Sequence, residues 1–304
     1  MTALLLENLV PLYILIGLGY VAGRWMEVNL HSLATVAIFI LSPVVVFGAI
    51  LKIELDPVYL LLPVIIFAVS AFIAFTSYKA SAAHLKNHLA NLIGMTSGTG
   101  NTGYFGLPIV IALLGPEAAG IYLLMNLAIV LNEVTVCYYI GARGNHPVHE
   151  SVKKLIRLPA LHAAWVALLF NALNVEMPDV FTTYWNYFTG AWVIIGMMLI
   201  GVGLAKVETL RPNFALIGWL FGFRFLVWPA LMTGIVAADR LWFHLYDKDV
   251  HLMLTLIGIV PLAANTVAFA GHLKLPAGEA AMAVLASTLF ALFFIPLMLG
   301  FLGY

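Results

Sequence analysis

GTGNTGYFGLP, residues 98–108, interrupts a segment otherwise apolar enough to span a bilayer. Four glycines and a proline stand within these eleven residues. Each glycine costs a helix roughly 1 kcal/mol and a proline about 3 kcal/mol. Broken backbone at membrane depth is tolerated only where protein or a water-filled cavity covers it. The stretch therefore reads as the place where a solute meets the protein inside the membrane.

Composition supplies the setting. Hydrophobic residues make up 63% of the 304 residues and charged residues 9%, against roughly 25% charged in a soluble domain. Mean hydropathy is +1.04. So much apolar surface can only be accommodated in lipid, which makes this an integral membrane protein. The 14 basic and 14 acidic residues balance, so no charge excess points to nucleic acid. Cys137 is the single cysteine, which excludes an intramolecular disulfide. No cleavable signal peptide is read at the N-terminus, where no Lys or Arg precedes Arg24.

About 20 apolar residues cross a bilayer core. Ten such runs are predicted, at 5–23, 30–51, 58–78, 88–114 and 117–141, then 159–173, 184–204, 213–238, 250–272 and 277–301. Charged or turn-rich loops at 52–57, 143–157, 206–212 and 239–249 separate them, and one membrane domain results. Basic residues in alternate loops set orientation. With the N-terminus outside, Arg24, Lys79, Lys86, Arg143, Lys153, Lys154, Arg157, Lys206, Arg211 and Lys274 are cytoplasmic. Lys52, Arg240 and Lys248 then face outward, so both termini are expected outside.

The chain also repeats itself. Shifted by 164 residues, Leu92, Ile93 and Gly94 fall on Leu256, Ile257 and Gly258, and Asn101, Thr102 and Phe105 on Asn265, Thr266 and Phe269. Matching Leu and Ile residues is easy in such a composition, whereas a paired Asn-Thr inside a span is harder to obtain by chance. The segments occupy the fourth and ninth runs, equivalent places in two halves at about 1–142 and 158–304. Five runs per half is an odd number, so the halves are inverted, a plan common among secondary transporters. Pro261, in VPLAANT, marks the second break and should free carbonyls near Leu256 and Ile257. Two helices broken from opposite faces would bring the N-termini of their second halves together at mid-membrane. Each carries roughly half a positive charge and unpaired N–H groups, which suits an anion. Asn101, Thr102, Gly103, Asn265 and Thr266 are the candidate ligand residues, with the side chains of Asn101, Thr102, Asn265 and Thr266 able to cap those ends. The converging C-terminal ends of the first halves could hold a cation alongside. Close helix packing by glycine and a simple proline kink are the competing readings. The repeat weighs against both.

At these residues the chain resembles the auxin efflux carrier family, which is related in fold to the bile acid:sodium symporters. The resemblance rests on GNTGYFGLPIV from Gly100 to Val110 and NTVAFAGHLKLP from Asn265 to Pro276, with FILSPVVVFGAI from Phe39 and MMLIGVGLA from Met197 in support. It implies an all-α polytopic membrane protein whose ten transmembrane helices form two inverted five-helix repeats, with helices 4 and 9 broken and crossing. It further implies elevator-type carriage of a small organic anion, with Asn101, Pro108, Pro261 and Asn265 at the crossover. The long cytoplasmic loop of the plant exporters is absent, so the chain is more similar to bacterial members associated with small carboxylates such as malonate or malate. The expected location is a bacterial inner membrane.

Two full charges lie inside predicted spans. Glu133 is about 15 Å from the cytoplasmic end of its helix and Arg224 about 18 Å from the same side, counted at 1.5 Å per residue. Similar depths allow them to pair, either as a fixed structural bridge or with Glu133 as a proton carrier and Arg224 as a sensor of substrate charge. Thr96, Ser97 and Thr99 are the hydroxyls available to a sodium ion, or they simply bond back to their own helix. No cofactor is expected; a proton or sodium is the candidate coupling ion. The partners expected are a small organic anion and the bilayer, with room for a homodimer and none for nucleic acid. A sodium-coupled symporter is the closest alternative. No nucleophile, metal or nucleotide motif supports an enzyme, and a receptor or channel stays open at this level.

Overall fold

The computed structural model describes residues 2–51, 59–85, 87–115, 118–145, 147, 149–150, 153, 156–157, 159–205 and 213–303. The loop readings at 52–57 and 206–212, Lys86, Lys154 and the span-opening positions Val58 and Glu117 lie outside them. Every regular element among the described residues is a helix. In chain order these are α1 (Thr2–Trp25), α2 (30–51), α3 (Leu61–Ala82), α4 (Asn87–Ser97), α5 (102–114), α6 (119–142), α7 (Pro159–Ala172), α8 (Asp179–Ala205), α9 (Phe214–Phe243), α10 (Lys248–Ile259), α11 (Asn265–His272) and α12 (Ala277–Phe301).

Six segments, within α2, α3, α6, α8, α9 and α12, are long and apolar enough to cross a membrane. The fourth and ninth predicted runs do not register as single spans because each is cut in two. The pieces α4, α10 and α11 are only 11, 12 and 8 residues long. The first interruption is shorter than residues 98–108. Only Gly98–Asn101 leaves helical geometry, and the chain resumes at Thr102 through a π-helical turn before continuing past Pro108. A widened turn is one place where a helix accepts a proline that has no N–H to donate. The second interruption, 260–264, opens at Val260, whose extended backbone (ψ 156°) is the conformation a following proline imposes.

The eighth run also ends later than predicted. Helix α9 continues to Phe243, so Asp239 is a helical residue rather than a loop one. Its carboxylate is satisfied locally: His251 Nε2 lies 2.8 Å from Oδ2, and the Leu245 and Tyr246 amides donate at 3.0 and 3.2 Å. Arg240 Nε donates to His251 Nδ1 at 3.2 Å, so His251 carries its proton on Nε2 toward Asp239. This cluster ties the end of α9 to the start of α10.

Helices distant in sequence pair closely. Helix α1 runs along α8 and α2 packs on α7, while α3, α4 and α6 form a second group and α9 lies on α10. The α1–α8 contact is set by glycine. A Cβ on Gly19 would stand 2.1 Å from the Met198 carbonyl oxygen, and one on Gly201 would stand 2.0 Å from that of Ile16. Backbones meet directly there, the arrangement that lets dispersion hold helices together in lipid. Replacing Gly201 by Val must force the two helices apart. The expected cost is about 1–3 kcal/mol, the range for overpacking, read as a lowered midpoint of thermal unfolding in detergent. An unchanged midpoint would contradict the contact.

Candidate functional site

The two breaks meet. The Asn101 amide donates to the Pro261 carbonyl at 2.8 Å, joining residues 160 positions apart across the crossing. Small residues let neighbours close on the first break: a Cβ on Gly98 would lie 2.5 Å from the Ala74 side chain on α3, and one on Gly100 within 2.7–2.9 Å of the Arg224 guanidinium. Both glycines serve close approach as well as the turn.

The carbonyls released at the breaks are taken up by side chains. Arg224, fully buried on α9, bridges both interruptions. Its Nε donates to Val260 O and its Nη2 to Ile257 O, each at 2.5 Å, and its Nη1 to Thr99 O at 3.3 Å. Trp228, one turn later, donates from Nε1 to Ser97 O at 2.7 Å and places its ring 4.9 Å from the guanidinium carbon. Gly98 O accepts from Asn132 Nδ2 at 3.0 Å and from the Ser70 hydroxyl. The carbonyl freed at Ile257 was expected; that at Leu256 is instead used by the Val260 amide.

Arg224 and Glu133 do not form the ion pair that similar depth allowed. Arg224 spends its donors on carbonyls, while Glu133 Oε2 accepts from Asn265 Nδ2 at 3.1 Å. The other carboxylate oxygen, Oε1, is buried without a hydrogen-bond partner. Depth along a helix says nothing about the direction a side chain takes, and the two point to opposite sides of the crossing.

The N-terminal ends of α5 and α11 present donors. Asn101, Thr102, Gly103 and Asn265 line one small cavity, together with Gly100, Asn126, Glu133, Trp192, Ala263 and Ala264. Among the described residues the backbone amides of Gly103, Ala263 and Ala264 make no hydrogen bond within the chain, and Asn101 Nδ2 is buried and unpartnered. The cavity volume is about 20 Å³, room for a water molecule and little more. Neither helix is capped by its own predicted side chain. Thr102 Oγ1 turns to Asn126 Oδ1 at 2.6 Å, and Thr266 Oγ1 bonds back to Ala263 O at 2.6 Å. Pro261 contributes its carbonyl rather than a cavity wall, and Pro108 lies within α5, past the interruption. The hydroxyls of Thr96, Ser97 and Thr99 are buried without partners. They do not make the back-bonds to their own helix that mid-helix hydroxyls often make.

The family model described as membrane transport protein matches residues 4–152, which include α4, the first break and α5. Over those residues, just under half of the chain, the sequence is similar to that family. It is the auxin efflux carrier family indicated by the motifs at Gly100 and Asn265, a family of membrane transporters and not of enzymes. A curated relative, an uncharacterized transporter of Methanocaldococcus jannaschii, is 25% identical over 258 residues, covering 79% of this chain and 81% of its own. The carrier's second break lies beyond the matched residues and stands on the geometry above.

Several of this transporter's site residues escaped sequence reading. Trp228 could have been found, since it sits four positions after Arg224 on the same helical face. Ser70 and Trp192 carry no local signal of their role. Replacing Trp228 by Phe keeps the ring and removes the donor, leaving Ser97 O buried and unsatisfied. That should cost about 1–3 kcal/mol, measured as a fall in thermal midpoint of the purified protein; no fall would mean the carbonyl has another donor.

Proposed function

We propose that this chain is a secondary transporter carrying a small organic anion, a carboxylate, across the membrane by an elevator-type movement. The observation that carries the reading is the back-to-back meeting of the breaks, with amides left free on the cavity side. Four unpartnered donors, the amides of Gly103, Ala263 and Ala264 and Asn101 Nδ2, belong to residues lining one cavity at two helix N-termini. Each end contributes roughly half a positive charge, and a carboxylate accepts several such bonds at once. Arg224, engaged with carbonyls, is not needed for anion binding.

In this reading the chain crosses the membrane ten times in two inverted five-helix halves, with both termini outside. The crossed elements α4–α5 and α10–α11, tied to α9 through Arg224, travel as one body. Helices α1, α2, α7 and α8 form the frame, and Trp192 on α8 closes the cavity against it. A volume of about 20 Å³ is too small for a carboxylate substrate, so binding requires the crossed helices to withdraw from Trp192. Glu133 then becomes the proton carrier: its carboxyl faces the substrate cavity, has one free oxygen and is held by Asn265 at the moving helix end.

Counterflow of labelled small mono- and dicarboxylates into proteoliposomes tests the function. Asn101→Asp places a negative charge among the donors and should lower uptake at least about tenfold, the effect of one lost charge-assisted contact. Uptake by Asn101→Asp equal to that of the native chain would refute the anion site. For coupling, native uptake should rise as external pH falls, and Glu133→Gln should flatten that dependence. A Glu133→Gln profile parallel to the native one would remove Glu133 as the carrier.

A further inference from the structure

We propose that Arg224 is the resident cation of the crossing: a tethered guanidinium fills the cation position created by two converging helix C-termini, so the chain needs no sodium there. The geometry of the breaks assigns this role whichever solute is carried.

Helix α4 ends at Ser97 and α10 at Ile259, and their C-terminal ends face each other at the crossing. Each end carries roughly half a negative charge, so together they amount to about one. A single guanidinium balances them. Its contacts fit that role: Val260 O and Ile257 O belong to one helix end, Thr99 O to the other, and an indole face covers the charge. Arginine stays charged at neutral pH, and its rigid planar fork spreads five donors over acceptors farther apart than the three donors of a compact ammonium reach.

A small metal cation at the same place would need the same oxygens. The carbonyls of Ser97, Gly98, Thr99 and Gly100 already accept from Trp228, Asn132 with Ser70, Arg224 and the Thr102 amide. What is left there is a neutral set, the hydroxyls of Thr96, Ser97 and Thr99 and the amide oxygen of Asn132. Neutral oxygens beside a buried positive charge are a poor site for a second one, because repulsion is strong where the dielectric is low. The feature that suggested sodium in the sequence is thus offset by a residue 125 positions further on.

The test uses the purified full chain in detergent. Its thermal midpoint should be the same within about 1 °C in sodium, potassium and choline chloride at equal ionic strength, since an ion bound at a specific site would raise it. A rise specific to sodium would overturn the proposal, whatever the transported solute proves to be. Arg224→Ala should be less stable, and millimolar methylguanidinium should restore part of the lost midpoint where choline does not. An Arg224→Ala protein that responds equally to both would also overturn it. If Arg224→Ala cannot be purified, Arg224→Lys replaces it: a tethered ammonium should keep the midpoint insensitive to sodium, and a sodium-specific rise would count against the role. Absence of anion counterflow with both ion results as expected would strike the substrate reading and leave this one standing.

Discussion

The hydrogen bond from the Asn101 amide to the Pro261 carbonyl is the contact on which the arrangement depends. In lipid every backbone polar group must find a partner inside the protein. A helix broken at mid-membrane exposes several such groups, and one broken helix cannot satisfy them alone. Two breaks placed against each other can begin to do so. This explains why the chain has two interrupted helices, and glycine stands where α3 and the guanidinium approach the first break.

Satisfaction at the crossing is one-sided. The carbonyls are served by Arg224, Trp228, Asn132 and Ser70, which come from three different helices, α3, α6 and α9. The amides on the opposite side are left without partners in the chain around a small cavity. The acceptor side is therefore finished structure and the donor side is open chemistry. Buried donors left over at two helix ends are the feature on which the proposed anion site rests.

The two halves are alike in sequence at the breaks but not in how the breaks are held. The first is surrounded by side chains of α3, α6 and α9, whereas the second relies on Arg224, Asn101 and the Ser287 hydroxyl, which accepts from the Leu262 amide. Glu133 and Asn265 join the first half to the second at the cavity. The two breaks share an Asn-Thr pair, and residues elsewhere in the chain hold them differently.

Lipid residence, the all-helical class and the position of both interruptions were legible because they follow from local chemistry: apolar runs, glycine and proline costs, and an Asn-Thr pair recurring 164 residues on. Asn101, Thr102, Gly103 and Asn265 could be named as cavity residues for the same reason. What only the tertiary structure decided was which side chain answers which freed group. Arg224 and Glu133, matched by depth, turned to different partners, one to carbonyls of both breaks and the other to an amide 132 residues away. Spacing along a chain fixes height in a helix, while partnership depends on rotation about the helix axis and on which helices become neighbours. Those are settled by packing, here by close backbone contacts such as that of Gly19 with Gly201.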